Sequence, residues 1–163
     1  MGDTNLVAVC GLYCGACTIY RATQEENEER LHEFARGLTA RTGKTFSIDD
    51  VRCDGCLGKG RLDLWCRNCQ MRVCEKLQSG KTRCSDCSEF PCTRLSNFQN
   101  DGMKHHIEIV ENLKHLQKMG IEAWAAHEER RWTCPECDAI LSWYDPSCPN
   151  CKTQRSEQLF GLR

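Results

Sequence analysis

The sequence predicts a small, metal-stabilised fold that is mainly α-helical, with irregular cysteine-rich loops and a C-terminal β-hairpin zinc ribbon. Fifteen of the 163 residues are cysteine, and they fall in three groups with helical patterns between them. Apolar residues outside the cysteines are sparse, so we expect a small core. A structural zinc site contributes about 10–16 kcal/mol in finger peptides, as much as the roughly 5–15 kcal/mol net stability of a domain.

Disulfide bonds are not the expected use of these cysteines. Their number is odd, and the first residues lack a basic segment followed by a clean apolar stretch, so no signal peptide is predicted. No apolar run reaches transmembrane length. We therefore predict a cytoplasmic protein, in which thiols stay reduced and a high cysteine density indicates bound metal.

The first group is a C-x3-C-x2-C motif formed by Cys10, Cys14 and Cys17. This spacing is used to hold an iron–sulfur cluster with one open iron. A radical enzyme built on such a cluster also needs a large barrel, for which the chain is too short. The sequence favours zinc or a structural role for the three thiols. One iron–sulfur cluster, completed by a cysteine of the central group, is the alternative.

An amphipathic helix is predicted from Thr23 to Arg41, where Leu31, Phe34, Ala35 and Leu38 recur at helical spacing. Gly43 marks its end. The sequence Ser47–Asp50 resembles a capping box and predicts a short helical turn.

The central group contains eight cysteines, enough for two four-thiolate sites. These are Cys53, Cys56, Cys66, Cys69, Cys74, Cys84, Cys87 and Cys92. The first four could bind one metal and the last four another, or a cross-braced arrangement could exchange partners; the sequence does not decide. Together with the N-terminal triplet the thiols number eleven, so a twelfth ligand is missing. A histidine could fill that role, but the sequence favours surface positions for the four that were considered: His32, His105, His106 and His115.

A second helical region is predicted from about Met103 to Met119, with a stripe of Ile109, Leu113 and Leu116. Gly120 ends it, and a further short helix follows. The third cysteine group is C-x2-C-x10-C-x2-C, formed by Cys134, Cys137, Cys148 and Cys151. Two C-x2-C turns joined by a hairpin would complete a zinc tetrahedron with no open position, which is a structural site. The sequence AILSWY between the pairs predicts a strand.

These patterns divide the chain into a cysteine-rich metal-binding domain (1–100), a helical connector (101–132), a zinc ribbon (133–155) and a tail (156–163). The net charge of −1 predicts neither a nucleic-acid nor a membrane partner. A local excess of basic residues between Lys59 and Arg94 is interpreted as an offset to the thiolates. A nucleic-acid face is the weaker interpretation.

The order and spacing of the motifs between Val9 and Phe98 resemble an uncharacterised cysteine-rich prokaryotic family, a domain of unknown function numbered 3795. The resemblance rests on CGLYCGACTIYRAT, CDGC, WCRNCQMRVC and CSDCSEFPCTRL. It implies a metal-binding protein of bacteria or archaea, and the family has no assigned reaction. Some members also carry a C-terminal ribbon like the one predicted for Cys134 to Cys151.

The predicted function is zinc binding in a structural or adaptor module that acts through protein contacts, with about three Zn²⁺ per chain. An iron–sulfur protein in electron transfer or redox sensing is the alternative. No phosphate loop, nucleophile elbow or H-E-x-x-H motif is present, so the sequence does not favour an enzyme. It names no small-molecule substrate.

Overall fold

The computed structural model describes residues 2–78 and 82–155, and these form short helices joined by irregular loops. The α-helices are α1 (Thr18–Gln24), α2 (Glu28–Thr42), α3 (Ile48–Val51), α4 (Leu64–Arg67), α5 (Glu75–Gln78), α6 (Thr93–Gln99), α7 (Ile109–Met119) and α8 (Ile121–Arg131). Single 3-10 turns lie at Thr4–Leu6, Cys14–Ala16, Cys84–Asp86 and Lys104–His106. The predicted mainly helical fold with irregular cysteine-rich loops agrees with this architecture.

The first predicted helix is in fact two helices. Asn27 caps α2 by accepting a hydrogen bond from the backbone N–H of Arg30, and Glu26 has a positive φ of 51°, which ends α1. Leu31, Ala35 and Leu38 are buried on α2, as the helical pattern predicted, whereas Phe34 of the same predicted stripe is only half-buried. They pack with Ala22 of α1 and Val51 of α3.

The capping box at Ser47 is confirmed and starts α3. The predicted stripe Ile109, Leu113 and Leu116 is also confirmed as the buried face of α7. Gly120 separates α7 from α8 and has a φ of 84°. A residue without Cβ adopts this backbone conformation readily, which explains the glycine at this position.

Two apolar clusters surround the N-terminal cysteine motif. One joins Cys10, Cys14 and Cys56 to Leu95 and Leu113. The other joins Val7 and Tyr13 to Trp124, Trp132 and Trp143. Thiols therefore make up part of the core, and the C-terminal segment contributes Trp143 to the same core as the first residues of the chain.

The predicted C-terminal β-hairpin is wrong. Residues 2–78 and 82–155 contain no β-strand, and the C-terminal segment has only isolated bridges at Thr133–Ile140 and Ser147–Gln154. The reason is that the backbone N–H groups of this segment donate hydrogen bonds to other parts of the chain. Leu141 N–H donates to Trp132 O over 2.8 Å, and Trp143 N–H donates to Ala16 O over 2.9 Å. The apolar sequence AILSWY docks onto other elements instead of pairing with a neighbouring strand.

The predicted domain boundaries remain predictions, and the predicted tail at 156–163 lies outside the described residues. Within the part of the chain that is described, no helix is both long enough and apolar enough to cross a membrane.

Candidate metal centres

The C-terminal cysteines converge on one point. The sulfurs of Cys134, Cys137, Cys148 and Cys151 all lie within 4.8 Å of one another. The Cys134–Cys151 and Cys137–Cys148 sulfur pairs are each 3.6 Å apart. A zinc tetrahedron with Zn–S bonds of about 2.3 Å places its sulfurs roughly 3.8 Å apart. The four thiols therefore fit one metal ion.

Two matching backbone turns hold these four sulfurs. In the first, Asp138 N–H donates to Cys134 O over 3.0 Å; in the second, Lys152 N–H donates to Cys148 O over 3.1 Å. Asp138 and Lys152 both have positive φ, at 58° and 62°. This is the same Cys-Pro-x-Cys turn used twice, and it explains how a four-ligand site forms here without a hairpin.

Hydrogen bonds favour the thiolate form at two of these ligands. The hydroxyl and backbone N–H of Thr153 lower the pKa of Cys151 to about 6. The Cys151 sulfur and the Thr153 hydroxyl oxygen are 3.2 Å apart. The backbone N–H of Cys151 is the largest influence that lowers the pKa of Cys148. A thiolate is the form that binds metal.

The N-terminal cysteine motif starts with a tight turn that presents Cys10. Ala8 N–H donates to Leu12 O over 2.8 Å, and Val7 and Tyr13 form a bridge. Gly11, at φ +84°, lies against α7, where an added Cβ would be 2.7 Å from Leu113 Cγ. A side chain at this position would push the turn away from α7.

Cys14 and Cys56 directly link the first and the central cysteine groups. The backbone N–H of Cys56 donates to Cys14 Sγ over 3.5 Å. Burial raises the pKa of Cys56, and the backbone of Val9 lowers it through a hydrogen bond. Burial also raises the pKa of Cys10, and the charges of Cys56 and Cys69 raise it further. Cys10, Cys14 and Cys56 are therefore buried in one apolar cluster, and the partly buried Cys69 packs against it. These four sulfurs do not form one of the compact donor groups of the described residues.

Cys53 and Cys66 form a second compact group, together with Asp63. The donor atoms of these three residues all lie within 4.8 Å of one another. The two thiols are hydrogen-bonded, which lowers the pKa of Cys53 and raises that of Cys66. Asp63 was not among the ligands predicted from the sequence. Its signal was the spacing, because Asp63 precedes Cys66 by three residues, as one cysteine precedes the other in C-x2-C.

The remaining cysteines of the central group lie around Cys84. Burial raises its pKa to about 12, and the charges of Cys92, Cys74, Cys69 and Cys87 raise it as well. Cys84 N–H donates to Val9 O over 2.8 Å, which ties this loop to the N-terminal turn. All eleven thiols of the two groups thus belong to one connected region.

Basic side chains near these loops bind their carbonyl groups. Arg72 Nε donates to Cys56 O over 3.2 Å, and Arg94 Nη1 donates to Gln70 O over 3.4 Å. Arg83 is buried and donates to Thr4 O over 2.9 Å. Within the described residues these cations therefore help to fix the cysteine loops.

The histidines lie apart from the compact donor groups of the described chain. His32 is exposed, as predicted. His106 is buried, so the prediction of a surface position is wrong for that residue, and His105 and His115 are half-buried. It pairs with Asp101, with Nδ1 2.9 Å from Oδ2, and lies against Phe98. These contacts give His106 a role in packing.

A family model described as "Protein of unknown function (DUF3795)" matches residues 6–97. The chain belongs to this family. The matched region contains the N-terminal turn, the Cys53–Asp63–Cys66 group and the thiols around Cys84, and it ends before α7. No curated protein and no solved structure matches the chain.

Proposed function

We propose that the protein is a zinc-thiolate protein in which metal ions hold short helices and loops together, and that it acts as a structural or adaptor module through protein contacts. The observation that carries the proposal is the C-terminal group, whose four sulfurs all lie within 4.8 Å of one another. Four protein ligands in a tetrahedron leave no position for a substrate. This metal therefore serves the fold.

The eleven thiols of the family region support further metal sites. Two four-thiolate sets are proposed from their neighbourhoods: one of Cys10, Cys14, Cys56 and Cys69, the other of Cys74, Cys84, Cys87 and Cys92. With the C-terminal set this gives three four-thiolate zinc ions per chain. Thiols with raised pKa values, such as Cys10 and Cys84, would release their protons on binding the metal.

An iron–sulfur cluster is the second candidate for the set around Cys10. Cys14 Sγ accepts the Cys56 N–H, and the set lies within an apolar cluster. Hydrogen bonds to sulfur and exclusion of solvent are the features that tune such clusters. An iron–sulfur protein would transfer electrons or sense redox state.

Elemental analysis and absorption spectra of protein purified without oxygen test the proposal. A zinc-thiolate protein is colourless and carries about three zinc ions in its four-thiolate sites. Fewer than two tightly bound metal ions per chain would refute the proposal. A brown preparation whose colour disappears in Cys14→Ser, while the C-terminal zinc remains, would replace it with the iron–sulfur alternative.

A further inference from the structure

Three thiols remain once the proposed four-thiolate sets are filled. They are Cys17, Cys53 and Cys66, and two of them already lie in a compact group with Asp63. The geometry points to Asp63 as the ligand that completes a mixed site with Cys17, Cys53 and Cys66. The inference rests on the proposed function and assigns a fourth metal ion, bound by three sulfurs and one oxygen.

The burial of Asp63 is the first argument. Its exposed fraction is 3%, and no ion pair of the described residues includes it. A buried carboxylate is costly without a cation, and buried charges are normally paired or bind metal. A divalent cation between the carboxylate and the thiolates would supply the missing positive charge.

The capping role of Asp63 leaves room for a metal. Its Oδ1 accepts the backbone N–H groups of Trp65 over 2.8 Å and Cys66 over 3.1 Å. These bonds fix the carboxylate at the start of α4, which also carries Cys66. They occupy Oδ1, so the cap leaves Oδ2 for coordination. The same two bonds orient the ligand, as hydrogen bonds to metal-binding carboxylates do.

The position of α1 brings Cys17 to this group. Cys17 is the N-cap residue of α1, and two side chains of α1 bind the loop that carries Cys53. Thr23 Oγ1 accepts Cys53 N–H over 3.0 Å, and Gln24 Nε2 donates to Asp54 Oδ1 over 3.1 Å. Burial raises the pKa of Cys17 to about 12, and the charges of Cys53 and Asp63 raise it as well. Cys14, the other nearby thiol, is linked to Cys56, whose N–H it accepts, and belongs to the set proposed around Cys10.

The mixed site has its own chemistry. Carboxylate oxygen is a harder ligand than thiolate and holds zinc less tightly beside three sulfurs. The bond between the metal ion and the Asp63 carboxylate is therefore the first to dissociate. We expect this ion to be the first that a chelator removes, while the four-thiolate ions remain. The mixed site is thus the one whose metal ion exchanges, because the other metal ions of the chain are bound by four thiolates.

Asp63→Asn separates the two roles of the carboxylate. Asparagine caps a helix as well as aspartate does, but its neutral amide is a poor ligand for zinc. The matched control is Asp50→Asn, since Asp50 caps α3 by accepting the Ser47 N–H over 2.9 Å and belongs to no compact donor group of the described chain. Asp63→Cys offers a fourth thiolate at the same position.

Full-length, zinc-loaded protein is titrated with a chelator, and the metal that remains is counted by elemental analysis. We expect four zinc ions per chain in the unmodified protein and in Asp50→Asn, with one released ahead of the rest, and three in Asp63→Asn. Asp63→Cys should retain four and lose the early release. Reloading the emptied site with Co²⁺ should give a three-thiolate spectrum in the unmodified protein and a four-thiolate spectrum in Asp63→Cys.

Two results would overturn the mixed site. One is an Asp63→Asn variant that keeps every zinc ion of the unmodified protein. The other is an early release that Asp63→Cys leaves unchanged, which settles the question even where Asp63→Asn does not fold. Failure of the proposed function itself looks different, because the unmodified protein would then hold fewer than two metal ions.

Discussion

Replacing Trp143 by alanine should show that the C-terminal segment is part of the same folded unit as the N-terminal cysteine motif. Trp143 lies between the two C-terminal cysteine pairs and is 8% exposed. Its backbone N–H donates to Ala16 O over 2.9 Å. Its ring packs with Val7 and Tyr13 and stacks on His105 with ring centres 4.4 Å apart.

The size of the effect follows from the buried ring. A tryptophan side chain buries about 150–250 Å², which corresponds to roughly 4–6 kcal/mol at about 25 cal/mol per Å². Alanine retains part of this, and buried Trp→Ala changes cost about 3–5 kcal/mol. At roughly 2–4 °C per kcal/mol for a chain of this size, the midpoint of thermal unfolding should fall by about 6–20 °C.

Thermal unfolding of the metal-loaded protein, followed by circular dichroism, measures this change. The matched control is Trp65→Ala, because Trp65 is 48% exposed and should cost less than about 1 kcal/mol. The zinc content should stay the same in Trp143→Ala, since the four sulfurs come from the two flanking turns. An unfolding midpoint within about 2 °C of the unmodified protein would refute the docking of this segment onto the core.

Two further predictions concern buried polar groups. Glu108 is buried and makes two hydrogen bonds of 2.9 and 3.0 Å with Arg131. Arg131 also contacts Glu128 over 3.4 Å, so Glu108→Gln should cost about 1.5–3 kcal/mol in chemical denaturation. Glu111→Gln, which breaks the exposed ion pair with Lys114, is the control, and an equal cost for both variants would refute this prediction. Burial, together with the charge of neighbouring His106, lowers the pKa of His105 to about 3. The unfolded chain therefore takes up a proton below about pH 6.5 that the folded chain does not. His105→Phe should lose less stability than the unmodified protein between pH 7.5 and 5.5, and an unchanged pH dependence would rule out this role for His105.

Local patterns in the sequence were enough to predict several helices. Two stripes depend only on spacing. In the first, Leu31, Ala35 and Leu38 are buried as predicted and Phe34 is half-buried; in the second, Ile109, Leu113 and Leu116 are all buried. The break at Asn27 was missed, because the polar sequence around it is compatible with both an exposed helix face and a cap.

The C-terminal segment shows where local reasoning fails. Ile140 and Trp143 belong to a sequence with strand character, and nothing in their spacing reveals that Trp132 O and Ala16 O accept the backbone N–H groups of Leu141 and Trp143. Tertiary contacts decided this conformation, as they often do for short apolar stretches.

The candidate metal sites could be predicted from the sequence only in part. Thiol spacing identified every cysteine as a candidate ligand, but grouping them requires knowing which loops meet in space. Asp63 illustrates the limit. A single aspartate in a loop is ordinary in any sequence, and its meaning depends on its burial beside Cys53 and Cys66.

Native mass spectrometry of protein purified without oxygen tests the central claim most directly, because it counts the metal ions on intact chains. We expect a colourless protein with zinc in three four-thiolate sites, and a fourth ion that Asp63→Asn removes. Cys134→Ser should reduce the count by the one ion of the C-terminal site. A protein that carries fewer than two metal ions under these conditions would contradict the account.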